Sequence, residues 1–223
     1  MSSEDDNFIR EVNEELRSDA ATAIWKKYGK FIIGGAVAIV VGVAGNVAYK
    51  EYTANQAAAS GDIFLEALTA AREGRQDEAI EGFDKLEAEG YGAYPLMAKL
   101  RAATVLADKG DASSAIAAFQ AVSGDNGVPK ALQDIAKIRA AYLLVDHGSY
   151  DDVSREVEVL TDTENAMRHS AREALGLAAY KANDFARAKE WMQLIVDDRR
   201  SPQQMSSRAQ VILDLIAGRS AAS

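Results

Sequence analysis

The chain has 223 residues, 25 Lys and Arg against 34 Asp and Glu, a formal net charge of −9, and no cysteine. That length holds one domain with a substantial core, and a second is not expected once the uncharged run at residues 31–49 is set aside. The acidity disfavours nucleic acid and anionic headgroups as partners, and the lack of cysteine removes disulfides and thiolate metal sites.

In chain order, residues 1–30 form an acidic tail and a basic flank. Residues 1–20 carry seven acids against Arg10 and Arg17, while Phe8, Ile9, Val12 and Leu16 recur at helical spacing, a pattern that makes an amphipathic helix when a partner covers it. Without a partner, the same stretch reads as a disordered, solubilising tail.

The run FIIGGAVAIVVGVAGNVAY at 31–49 contains no charge. At about 1.5 Å per residue it reaches roughly 28 Å, close to the hydrocarbon thickness of a bilayer. Lys26, Lys27 and Lys30 precede it and only Lys50 follows, beside Glu51, so the excess of positive charge predicts a cytoplasmic N-terminus. Trp25, Tyr28, Tyr49 and Tyr52 bracket the run at headgroup level. A cleaved secretory signal would have a shorter apolar core, roughly 7–15 residues, so an uncleaved anchor is expected. Gly34, Ala38, Gly42 and Asn46 share one face at i, i+4 spacing, where small side chains allow close approach of a second transmembrane helix and Asn supplies a hydrogen bond.

Residues 50–223 hold 20 Lys and Arg and 27 Asp and Glu, and from residue 54 onward the apolar period is helical throughout. Pro95, Pro129 and Pro202 each stand at the start of a periodic segment, where a missing N–H costs nothing. Ser201 with Gln204 has the spacing of a capping box. Internal repetition organises the region: Ala98-Lys99-Leu100-Arg101-Ala102-Ala103 recurs 38 residues later as Ala136-Lys137-Ile138-Arg139-Ala140-Ala141. A small residue followed four positions later by a larger apolar one recurs as Ala79 and Phe83, Ala115 and Phe119, Val153 and Val157, and Ala188 and Met192. Helical hairpins that cannot bury an apolar face alone do so by stacking, so the expected fold is all-α: one transmembrane helix, an α-solenoid of about four degenerate hairpins, and a capping helix after Ser201.

These units resemble the tetratricopeptide repeat. Leu175-Gly176, Ala179-Tyr180, Ala188 and Met192 stand at that motif's spacing. The consensus Trp position holds Lys99, Lys137 and Arg172, and the first-helix Gly is replaced by Ala67, Ala103 and Ala141. With its charged tail, anchor and alanine-rich repeats, the chain looks like the YfgM-type ancillary subunits of the SecYEG translocon. That resemblance implies an inner-membrane protein with a cytoplasmic N-terminus, a periplasmic repeat domain, and a membrane-anchored periplasmic chaperone as a second partner.

Chemistry is sparse. The two histidines, His147 in an interhelix turn and His169 at a helix start, are expected in solvent, and no nucleophile, phosphate or calcium motif occurs. No enzymatic activity, cofactor, metal or small-molecule substrate is expected. What remains is protein binding, with Lys99, Arg101, Lys137, Arg139 and Arg172 as a basic stripe on successive first helices that holds partner carboxylates, or as long side chains whose stems cover helix seams. Two functions fit: a scaffold at the secretion translocon that hands exported proteins to periplasmic chaperones, and an envelope-assembly or cell-division coordinator that holds an envelope protein.

Overall fold

The computed structural model describes residues 3–222, and side chains from Thr22 to Arg219; the amphipathic face at Phe8, Ile9, Val12 and Leu16 lies outside the described side chains. The chain divides into two units, Met1–Asn55 and Gln56–Ser223. Helix α1 (Ser3–Arg72) contributes to both. In the first unit, every described side chain from 31 to 49 is exposed, and one 18-residue window within Thr22–Arg72 reaches a mean hydropathy of 2.2. The helix is therefore long and apolar enough to cross a membrane.

The second unit is a stack of four helical hairpins and a closing helix. Residues 56–72 of α1 pair with α2 (Gln76–Glu89), α3 (Tyr94–Asp108) with α4 (Ala112–Gly124), α5 (Lys130–His147) with α6 (Tyr150–Val157), and α7 (Arg168–Lys181) with α8 (Phe185–Val196). Helix α9 (Gln203–Ala222) packs on α8. Among the described residues there is no strand.

The small-then-large pairs form the spine of this stack. Ala79, Phe83, Ala115, Phe119, Val153, Val157, Ala188 and Met192 are each at most 2% exposed, all on second helices. A fully buried Phe or Met contributes about 1.5–3 kcal/mol by leaving water, and the alanines let the neighbouring backbones close on it. The approach is tight: a Cβ added at Gly82 would stand 2.9 Å from the Ala67 Cβ, and one at Gly176 would stand 2.7 Å from Met192 Cε. Ala67, Ala103 and Ala141, in place of the consensus glycine, are likewise buried.

Three of the four hairpin turns share one device. Gly74, Gly110 and Asn183 adopt positive φ (78°, 89° and 61°), and the next residue's N–H bonds back five residues, from Arg75 to Ala70, Asp111 to Leu106 and Asp184 to Ala179. This is the Schellman termination, and it reverses the chain while satisfying carbonyls that the helix end leaves open. Asp111 and Asp184 then cap the second helix by accepting from the N–H of Ser114 and Arg187. The third hairpin differs: Gly148 has φ −128°, Ser149 and Asp152 form a reciprocal capping box, and the eight-residue α6 runs into a 3-10 turn at Glu158–Leu160.

All three prolines stand at helix starts, but the Ser201 capping box does not form. Helix α9 begins at Gln203, the Pro202 carbonyl accepts the first bonds from Met205 and Ser206, and Ser201 Oγ is buried without a hydrogen-bond partner.

Candidate partner-binding face

One face of the repeat unit is formed by the first helices of the hairpins and by α9, and hollows run along it. A hollow of about 170 Å³ between the end of α1, α3 and α5 is lined by Phe64, Met97, Leu100, Arg101, Ile135 and Arg139, together with Thr104. The next, about 460 Å³, lies over Phe119, Ile135, Ile138, Leu143 and Met167, with Arg139 and Asp108 at its margin. A third, about 660 Å³, sits over Leu177, Met192, Val211 and Ile212. Its polar wall is a closed network in which Tyr142 Oη donates to Glu173 Oε2 (2.5 Å) and Arg208 donates to both Glu173 oxygens (2.7 and 2.9 Å). Burial, reinforced by the bond to Glu173, pushes the Tyr142 phenol above its ordinary range, so it stays a neutral donor.

The five basic residues expected as one stripe separate into different environments. Arg101 and Arg139 are exposed and line the same hollow. Arg139 reaches Thr104 Oγ1 at 3.5 Å and lies 5.9 Å over the Phe119 ring. Among the described residues neither arginine has a carboxylate within ion-pair distance. Lys99, two positions before Arg101 and thus on another side of α3, pairs with Glu87 of α2 at 3.2 Å. Lys137 is half-buried.

Arg172 corrects the stripe outright, being 6% exposed. Its guanidinium donates to the carbonyls of Leu194 (3.2 Å) and Thr161 (2.9 Å) and stands 3.7 Å from Asp198. It ties α7 to the 3-10 turn and to the end of α8, and burial lowers its pKa from the ordinary arginine value. His147 is exposed as expected, whereas His169 is 6% exposed with Nε2 2.9 Å from Asp198 Oδ2. Arg168 donates to the same oxygen at 2.8 Å, and the Arg200 N–H to the other. The Arg168 guanidinium, helped by that N–H, holds the Asp198 carboxyl well below the usual carboxylate range.

Gly34, Ala38, Gly42 and Asn46 are all exposed on α1, and a Cβ built at Gly34 or Gly42 meets nothing within 4 Å. Sequence periodicity did not single out the Tyr142, Glu173 and Arg208 network. The sequence offered little sign of it: Glu173 has His169 and Ser170 one turn before it, Gly176 and Leu177 one turn after and Arg172 beside it, so no uniformly apolar face sets the carboxylate apart.

Stacked hairpins of this kind, with hollows along the first-helix face, define a helical-repeat protein of the class that binds other proteins. More specifically, a family model described as a tetratricopeptide repeat-like domain matches residues 22–213, and the chain belongs to that family. The matched span runs through the apolar segment as well as the repeats. No curated protein matches the chain, and no solved structure does.

Proposed function

We propose that the protein is a non-enzymatic scaffold, anchored in the inner membrane by residues 31–49 with a cytoplasmic N-terminus, whose periplasmic repeat domain binds protein partners at the SecYEG translocon and helps pass exported proteins to a membrane-anchored chaperone. The observation that carries this reading is the joining, within one family domain, of a membrane-length apolar helix to a repeat unit with an open hollowed face. The lysine asymmetry around the run supports the orientation, and the resemblance to YfgM-type subunits supports the translocon as the location.

The anchor face provides the test. With Gly34, Ala38, Gly42 and Asn46 packed on a translocon or partner helix, Gly42→Leu separates the two backbones without impairing insertion, because leucine is at least as apolar as glycine. Co-purification of translocon proteins in mild detergent is expected to fall for Gly42→Leu and to persist for Val40→Leu on another face. Photocrosslinks from position 42 that capture no translocon helix, together with full function when the anchor is exchanged for an unrelated one, would transfer support to the envelope-coordinator reading.

A further inference from the structure

The hollow between α3 and α5 has a chemistry that narrows what occupies it. Two guanidinium groups, Arg101 and Arg139, stand at the rim of a floor made by Phe64, Met97, Leu100 and Ile135, and no acidic side chain lines this hollow. Asp108 belongs to the neighbouring ones, so repulsion of an incoming carboxylate is displaced along the groove. Most other basic side chains with described contacts are already engaged: Lys99 with Glu87, Lys109 with Asp77, Arg155 with Asp152, Arg168 with Asp198 and Arg208 with Glu173. A domain with seven more acids than bases thus keeps two arginines without carboxylate partners, side by side on its hollowed face.

We infer that this groove binds a polypeptide segment in which acidic side chains alternate with bulky apolar ones, the acids held by Arg101 and Arg139 and the apolar groups seated over Phe64, Met97 and Ile135 and in the adjoining 460 Å³ hollow. The inference rests on the scaffold reading and specifies its partner. Charge complementarity selects the acid: guanidinium gives paired, charge-assisted bonds to carboxylate, and the apolar floor excludes the water that would screen them. The two arginines recur at the 38-residue offset of the repeat, so the contacts come from successive hairpins and suit side chains along an internal segment, without a requirement for a chain terminus.

The experiment uses the full chain in detergent micelles and a fluorescein-labelled peptide, blocked at both ends, that alternates Asp and Glu with Leu and Phe. Its counterpart carries Asn and Gln in place of the acids. By fluorescence anisotropy the acidic peptide is expected to bind about tenfold more tightly or better, and the margin should shrink as NaCl rises from about 0.05 M to about 0.5 M. The double substitution Arg101→Gln with Arg139→Gln should erase the margin, while Lys99→Gln, off the hollow, should preserve it. Equal binding of the two peptides by the wild-type chain, no binding of either, or a preference that survives the double substitution overturns the inference. Recovery of translocon proteins with the wild-type chain scores the scaffold reading separately. Its failure with the acid preference intact removes the secretion assignment and keeps the groove; the reverse outcome keeps the assignment and removes the groove.

Discussion

Arg172 and Asp198 show what one buried charge does in this stack. Arg172 is held by two carbonyls and lies near Asp198, so Arg172→Leu removes the donors to the part-buried carbonyls at the 3-10 turn and near the end of α8 and takes a cation from beside Asp198. A loss of about 2–4 kcal/mol is expected, read from the urea midpoint of the repeat unit. Asp198 sets an acid limb. A carboxyl whose folded pKa lies below its unfolded value of about 3.9 contributes stability in full above that value and loses it as pH falls. Wild-type thermal stability is therefore expected to drop as pH falls below about 5, and Asp198→Asn should melt lower at neutral pH but with a shallower acid limb. Parallel acid limbs would show that Asp198 does not set it. Neither residue's role was legible in the sequence. Apart from the Arg200 N–H, two positions from Asp198, their partners lie 11 to 30 positions away, and several are backbone groups that any residue type presents, so no spacing rule marks them.

At the scale of helices, the legible part was the seam. Ala115 and Phe119 recur with Ala188 and Met192 because a close helix contact requires the same pair of sizes in each hairpin, and that requirement writes itself into the sequence as a period. Ala115→Leu should destabilise the unit by about 1–3 kcal/mol through overpacking. The turns make a paired test: Gly110→Ala, at φ 89°, should cost about 1 kcal/mol, whereas Gly124→Ala, which meets open space at the end of α4, should be neutral or mildly stabilising. Equal effects of the two glycine substitutions would remove the left-handed turn from its place in the hairpin. The third hairpin was the least legible, since its 3-10 turn and capping box replace the Schellman device at an unchanged overall spacing.

For the whole molecule, the proposed orientation gives a direct outcome. A reporter active only outside the cytoplasm should work when fused after Ser223 and fail when fused before Ser2, and the opposite pattern would reverse the topology. Within the repeat unit the packing is sequential, α2 on α3, α3 on α4, and so on to α9 on α8, with α5 also touching α7 and α7 touching α9. A load applied between residue 56 and α9 thus passes through each interface in turn, as through links coupled in series. Extension is shared among the hairpins, and the weakest interface sets the force at which the stack first yields. Such nearest-neighbour coupling predicts a spring whose compliance grows with the number of repeats, lengthening by small openings between hairpins before any helix unravels.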